Sequence, residues 1–200
     1  MKSQKDTGTT ALHAAVDTGK RQLVTALLAH GADPDARLTK GPPPLRGDFV
    51  SRDGLAGATP VWLAAKAGAP AMMRALLTAG GDPAIPTTNK ITPLMVAAGL
   101  GQSETRTPPE PGALQVLELL VGRGADVNAS MPNGQTPLHG AANMGSNAII
   151  QFLVDHGGRL DAKDKQGRTP LDIAGDGRRQ RPTTVDLLRK LSTDPGSSSR

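Results

Sequence analysis

Four histidines are the side chains of this sequence most suited to proton transfer or metal binding near neutral pH. His13 and His139 each lie three residues after a threonine, and His30 and His156 each directly precede a glycine. No second ligand or nucleophile stands at a fixed spacing from any of them, and the chain has no cysteine. We therefore expect all four histidines to be structural, and we predict no catalytic residue, no metal site and no cofactor.

Two pairs of closely spaced glycines, Gly99 with Gly101 and Gly122 with Gly124, invite comparison with a phosphate-binding loop. A dinucleotide fingerprint needs a buried strand before the loop and a third glycine three residues on, and neither pair has this context. No acidic cluster has the spacing of a calcium-binding loop either. The sequence therefore predicts no small-molecule substrate.

The charge of the chain is distributed unevenly along its length. The formal net charge is +5, and residues 157–200 carry 10 basic against 6 acidic side chains. This excess fits either a patch for nucleic acid or anionic lipid, or an ordinary solvated end of the protein. Because the chain has no tyrosine and only 2% aromatic residues, it lacks the stacking side chains that favour nucleic-acid binding, and we prefer the second interpretation.

Targeting and membrane signals are missing from the sequence. No apolar run approaches the ~18 residues needed to span a bilayer, and Met1–Thr10 lacks the apolar stretch of a signal peptide. We expect no membrane association and, by default, a cytoplasmic protein, with export left open if the chain is a fragment.

One phrase, which we call the capping phrase, recurs along the chain. Its consensus is Thr-Pro-Leu-His-x-Ala-Ala, and its copies begin at Thr10, Thr59, Thr92, Thr136 and Thr169. A second phrase, an aliphatic run that ends in Gly-Ala-Asp or a variant, follows four copies, with its glycine at Gly31, Gly80, Gly124 and Gly157. Two phrases at consistent offsets indicate a repeated supersecondary unit.

The residue types of the two phrases predict a pair of short helices. Threonine caps a helix N-terminus with its hydroxyl, and proline suits the next position because its missing N–H would be unpaired there anyway. Gly19 and Gly145 follow where a left-handed C-terminal cap would lie. The aliphatic run, as in Ile149, Ile150 and Leu153, has helical spacing. Each helix pair would bury its apolar face only by stacking on its neighbours.

The two phrases resemble those of the ankyrin-repeat family, whose unit of about 33 residues is a β-hairpin turn followed by two antiparallel helices. The resemblance implies an all-α solenoid of stacked helix-turn-helix units joined by β-hairpin turns, here an ankyrin-repeat domain over residues 6–191. We place its repeats near 6–36, 57–85, 89–129, 133–162 and 166–191. Residues 192–200 are predicted to be a disordered polar tail.

Two intervals between successive capping phrases exceed the repeat unit. The spacings from threonine to threonine are 49, 33, 44 and 33 residues, so the first carries 16 extra residues and the third carries 11. Offsets from the second phrase assign these insertions to the hairpin near 37–56 and to the turn between the helices of repeat three near 102–112. Insertions in repeat proteins commonly map to a binding face, but longer surface loops are also tolerated at little cost.

The resemblance also implies a function, which is binding to another protein through a groove made of hairpin tips and the exposed sides of the first helices. The expected state is a monomeric scaffold. The family's recognition positions flank the capping phrase, and in this chain they are Asp17, Thr18, Lys66, Asn89, Ile91, Asn133, Gln135, Asn143 and Met144. The alternatives are a regulatory or targeting segment of a larger enzyme and, less favoured, nucleic-acid binding through the basic C-terminal end.

Three aromatic residues complete the set of candidates. Phe152 falls on a leucine position of a second helix. Trp62 takes the histidine position of the capping phrase, where we predict packing between first helices in preference to a recognition anchor. Phe49 lies outside the repeat pattern, in the first insertion, and we predict that it contacts a partner. Packing of Phe49 against its own repeats is the alternative.

Overall fold

A computed structural model describes residues 8–39, 55–101, 110–176 and 181–193. These residues form short helices that we number in chain order: α1 (Ala11–Asp17), α2 (Arg21–Ala29), α3 (Pro60–Lys66), α4 (Pro70–Thr78), α5 (Pro93–Ala97), α6 (Glu110–Val121), α7 (Pro137–Met144), α8 (Asn147–Asp155), α9 (Pro170–Gly175) and α10 (Pro182–Thr193). No strand occurs within the described ranges. The fold is an all-α repeat solenoid, which confirms the predicted class.

The helices form two layers. The odd-numbered helices, which are the first helices of the repeats, contact one another in chain order, and the even-numbered second helices do the same. Each first helix also packs against the second helix of its own repeat. Every repeat therefore contacts only its neighbours, and the core runs the length of the stack.

The capping phrase starts the first helices by the chemistry that the sequence predicts. In α3 the Thr59 hydroxyl accepts a hydrogen bond from the N–H of Trp62 at 3.1 Å, and Pro60 occupies the first helical position. The helix α7 ends at Gly145, whose φ of 73° lies in the left-handed region that glycine adopts without strain. The first helices are consequently short, and α5 has only five residues.

Burial in the second helices depends on their neighbours. The helix α8 buries Ile149, Ile150, Leu153 and Val154 between α6 and α10. The helix α2 buries only Val24 and leaves 44% of Leu23 exposed. Within the described residues α2 has another second helix, α4, on one side only, so part of its apolar face stays in solvent.

The turns between repeats have the shape of a hairpin but do not form strands. The turns before repeats three, four and five each have one backbone bond across their base, such as that from the N–H of Met131 to the carbonyl of Gln135 at 2.9 Å. The equivalent bond from Asp164 to Arg168 is also 2.9 Å. A single closing pair is too little for a ladder, so the expected β-hairpin turns are tight turns without sheet.

Two boundaries differ from the sequence-based expectation. Residues 110–112, assigned above to the second insertion, belong to α6, because proline at position 111 is tolerated in the first turn of a helix. Ser192 and Thr193, assigned to the tail, belong to α10, and their hydroxyls donate to the carbonyls of Leu188 and Lys190 at 2.8 and 2.9 Å. The bond from Thr193 satisfies the carbonyl of Lys190, which has no N–H four residues later within the helix.

Candidate protein-binding surface

The histidines of the capping phrase bond each repeat to the next. Nε2 of His13 lies 3.3 Å from the carbonyl oxygen of Ala58, and Nε2 of His139 lies 3.0 Å from that of Arg168. Each carbonyl belongs to the residue directly before the next capping phrase. Nδ1 of each ring accepts from the N–H of its own phrase threonine, at 3.2 and 3.1 Å. This pattern requires neutral rings protonated on Nε2.

Burial lowers the pKa of both His13 and His139. The bonded carbonyls, together with the Asp33 carboxylate near His13 and the Asp164 carboxylate near His139, act in the opposite direction without outweighing burial. The remaining two histidines close helix ends, since Nδ1 of His30 donates to Ala26 at 2.8 Å and Nδ1 of His156 donates to Phe152 at 2.7 Å. The structural explanation holds for all four.

Trp62 replaces the histidine in repeat two and makes the same connection. Its indole Nε1 donates to the carbonyl of Ile91 at 3.0 Å, and Ile91 directly precedes the third capping phrase. The indole is buried, with 3% of the residue exposed, which confirms the predicted packing between first helices. In repeat three the position is Met95, whose side chain has no N–H to donate.

A second kind of bond joins the ends of the second phrases. The Asp35 carboxylate accepts from the N–H of Asp82 at 2.8 Å, and the Asn128 amide oxygen accepts from the N–H of Arg159 at 2.9 Å. The equivalent residue of repeat two is Ala84, which has no side-chain acceptor. This bond is therefore absent between repeats two and three.

A third kind of bond joins neighbouring hairpin tips through the backbone. The N–H of Thr88 donates to Ala56, and the N–H of Lys165 donates to Asn133, both at 2.8 Å. The equivalent residue of repeat four is Pro132, which has no N–H. The interface between repeats three and four thus lacks both the hairpin bond and the ring bond, and of the three kinds it keeps only the bond from Asn128.

These bonds fix the surface that carries the residues expected to contact a partner. Five of them are exposed: Asp17, Thr18, Asn89, Asn133 and Asn143. Three are partly exposed: Lys66, Gln135 and Met144. The structure thus brings eight of the ten onto the hairpin tips and the ends of the first helices, which together we call the groove face.

Ile91 and Phe49 are the remaining two of the ten predicted contact residues. Ile91 is buried, with 8% of its surface exposed, because its side chain packs into the core beside Gly101. Its expected contact with a partner is therefore not supported by its position, and we remove it from the groove face. Phe49 lies outside the described residues, so its contact with a partner remains a prediction.

Asp17, Asn89 and Asn143 have side chains that are not used by the fold. Within the described residues, none of the three makes a hydrogen bond with its side chain. Thr18 differs, since its hydroxyl donates to the carbonyl of Ala14 at 2.7 Å. Asn133 and Gln135 bond each other through their amides at 3.0 Å.

Lys90 is a groove-face residue that sequence reasoning missed. Its φ is 63°, and in the described part of the chain it is the one residue other than glycine with a positive φ. The equivalent residues of repeats four and five are Gly134 and Gly167, at 83° and 78°. The signal was present in the sequence, because the hairpins of repeats four and five place glycine two residues before the phrase threonine and repeat three places lysine there.

A cavity of about 410 Å³ lies in the groove face across repeats three, four and five. Its walls include Gly99, Gly101, Gln135, His139, Gly140, Asn143, Arg168, Asp176 and Arg181. Two of the predicted contact residues, Gln135 and Asn143, are therefore part of one concave site. Glycines form part of its lining, so side chains do not fill it.

Arg168 is held at the edge of this cavity by a buried carboxylate. Its Nε and Nη2 atoms donate to Asp164 at 3.0 and 2.8 Å, while the backbone N–H groups of Gln166 and Arg168 donate to the other oxygen, each at 2.9 Å. Burial by itself would raise the pKa of Asp164, but these hydrogen bonds outweigh burial and lower it. Asp164 stays ionised and fixes the guanidinium orientation.

No group of three or more histidine, aspartate or glutamate side chains in the described part of the chain could hold a metal ion. Among the described helices, none is long and apolar enough to cross a membrane.

Comparison with known protein families agrees with the geometry. The family described as ankyrin repeats in three copies matches residues 110–198, and the single ankyrin repeat matches residues 7–37. No curated protein matches the chain. The stacked two-helix repeats and the concave face define a repeat protein of the kind that generally mediates protein–protein interaction. The chain belongs to the ankyrin-repeat family.

Proposed function

We propose that this chain is a monomeric scaffold that binds another protein through its groove face. The observation that carries the proposal is a contrast between equivalent positions of the five repeats. The residue five places after each phrase threonine is buried and is alanine in every repeat, at Ala15, Ala64, Ala97, Ala141 and Ala174. The residue seven places after each phrase threonine is instead Asp17, Lys66, Gly99, Asn143 or Asp176.

This difference has a simple physical interpretation. The fold requires small apolar residues where helices approach closely, and it places no such requirement on an exposed position at a helix end. Gly99 is buried, but the other four residues at this position, Asp17, Lys66, Asn143 and Asp176, are exposed or partly exposed. Acidic, basic and amide side chains at one structurally equivalent position therefore present a specific pattern to solvent. A partner that binds along the groove face contacts a different side chain in each repeat.

The test is capture of partners from the source cell with the wild-type chain and two triple variants. The groove variant combines Lys66→Ala, Asn89→Ala and Asn143→Ala. The matched control combines Arg74→Ala, Gln22→Ala and Gln115→Ala, which removes one cation and two amides from exposed positions of the second helices. Thermal unfolding verifies that both variants keep the fold.

We expect the groove variant to lose the partner and the control to keep it. Equal capture by both variants would contradict a groove-mediated function, and loss with the control alone would move the binding face to the second helices. Light scattering of the purified chain tests the monomeric state.

A further inference from the structure

The cavity across repeats three to five offers mainly hydrogen-bond donors. Among the described residues, the Nη1 group of Arg168, the Nε2 group of Gln135 and the amide of Asn143 have no hydrogen-bond partner. Arg181 also lines the cavity. Among the described lining residues, Asp176 carries the only carboxylate.

Two neighbouring groups do not reverse this balance. The His139 ring is neutral and both of its nitrogens are engaged, with Thr136 and with the carbonyl of Arg168. Asp164 compensates part of the Arg168 charge, but its side chain is 3% exposed and its oxygens are already bonded. The Asp164 carboxylate is therefore hardly accessible to a ligand in the cavity. The Arg168 side chain is accessible, because 38% of it is exposed.

Cations outnumber exposed carboxylates on this part of the molecule. The groove-facing cations of the described residues are Lys66, Lys90, Lys165, Arg168 and Arg181. The exposed carboxylates of the first helices and their ends are Asp17, Asp172 and Asp176. An excess of cations around a concave site attracts and orients an anionic ligand.

We propose that this cavity receives an aspartate or glutamate side chain from an acidic, extended segment of the protein partner. Arg168 Nη1 and Arg181 bind the carboxylate, and the amides of Gln135 and Asn143 donate to its oxygens or to the adjacent peptide carbonyl. Charge-assisted bonds of this kind are roughly twice as strong as neutral ones. The inference rests on the proposed protein-binding function and specifies the chemistry of the partner.

The test uses a displayed library of random peptides of about 12 residues, panned on the full chain. The tightest selected peptide is then compared with its Glu→Gln or Asp→Asn form by fluorescence anisotropy. We expect the carboxylate form to bind about tenfold more tightly to the wild-type chain, which is a difference of about 1.4 kcal/mol.

Two variants of the chain locate the carboxylate. Arg181→Gln should remove most of the discrimination between the two peptide forms, while Arg189→Gln, an equal change of charge on an exposed position of α10, should preserve it. Asn143→Ala should weaken binding of the carboxylate form severalfold. Because the Asn143 side chain is exposed and makes no hydrogen bond to another described residue, this variant should keep the fold even if Arg181→Gln does not.

The outcomes separate this inference from the proposed function. Selected peptides without an acidic residue, or discrimination that survives both Arg181→Gln and Asn143→Ala, would overturn the carboxylate site. If such peptides still bind less well to a Lys66→Ala, Asn89→Ala double variant, the groove function stands alone. Peptides insensitive to every groove substitution, or a library without binders, would count against both.

Discussion

Trp62 and Ile91 are joined by a hydrogen bond of 3.0 Å from the indole Nε1 to the carbonyl oxygen. Histidine makes the equivalent connection from repeat one to two and from repeat four to five. Both rings are planar and carry an N–H at their far edge, so the tryptophan serves the same carbonyl while burying a larger apolar surface. The Lys66 ammonium lies 6.0 Å from the centre of the indole, at the rim of the groove face.

Replacing Trp62 by phenylalanine should separate the hydrogen bond from the packing. We expect Trp62→Phe to lower the free energy of unfolding by about 2 kcal/mol, of which the lost bond accounts for about 1. Trp62→His keeps a ring N–H and should retain that part. Urea unfolding measures both, and equal stability of the two variants would show that the bond contributes nothing.

The missing bond between repeats two and three can be supplied at Ala84. We expect Ala84→Asn to raise the free energy of unfolding by about 0.5–1.5 kcal/mol, because its amide oxygen would accept from the N–H of Asp126 as Asn128 accepts from Arg159. The reciprocal variant, Asp35→Ala, removes the bond to Asp82 and should cost a similar amount. Urea midpoints that move in the same direction for both variants would refute this inter-repeat bond as a stabilising element.

The left-handed backbone at Lys90 should make glycine the more stable residue there. A non-glycine residue in the left-handed region lowers the stability of the fold by about 1–2 kcal/mol. Glycine avoids this cost, but its greater freedom in the unfolded chain lowers stability by about 0.5–1 kcal/mol. Lys90→Gly should therefore raise the free energy of unfolding by up to about 1.5 kcal/mol. Asn89→Gly is the control, because Asn89 does not have a positive φ and gains no relief. A destabilising Lys90→Gly would mean that the lysine side chain stabilises the tip.

Stability should fall as the pH is lowered from 7.5 to 5. Burial lowers the pKa of His13 and His139, so below about pH 6.5 the unfolded chain binds protons that the native rings do not. The contribution of the two neutral rings to the free energy of unfolding is complete above that pH. It is lost as the pH falls toward the lowered pKa values of the native rings. The melting temperature measured across this range tests the direction.

The carboxylates act in a different pH range. Hydrogen bonds lower the pKa of Asp164 and Asp172, so their contribution to stability is lost only as the pH falls below the usual aspartate range near 4.

A His13→Gln, His139→Gln double variant tests the contribution of the two histidines. It should be less stable than the wild type at pH 7.5 but show a flatter dependence of stability on pH between 7.5 and 5. An unchanged slope would assign the pH dependence to other groups.

Phe49 in the first insertion is expected to act in binding and not in stability. Phe49→Ala should leave the melting temperature nearly unchanged and weaken partner binding at least tenfold, since an aromatic anchor contributes ~2 kcal/mol or more. Leu38 is the matched control, because it lies at the root of the same insertion and is buried at 3% exposure. Leu38→Ala should cost about 2–5 kcal/mol of stability. A large drop in melting temperature for Phe49→Ala with unchanged binding would instead show that Phe49 packs against the repeats of its own chain.

The sequence by itself determined the repeat architecture, because that depends on local chemistry. Threonine, proline and paired alanines specify where each first helix begins and how closely it packs, and apolar spacing specifies the second helix. The structural use of the histidines also followed from their fixed position in the phrase. The helix boundaries at residues 110–112 and 192–193 did not follow from the repeat pattern, since a helix end depends on individual capping bonds.

Only the tertiary structure decided which groups meet across repeats. The bond from Trp62 to Ile91, the bond missing at Ala84 and the cavity beside Arg168 each involve two or more repeats stacked in register. Ile91 shows the same limit, because it was expected at the surface and is buried by its neighbours. A repeat unit specifies its own helices locally, whereas exposure and pairing at its edges depend on what the adjacent repeat brings into contact.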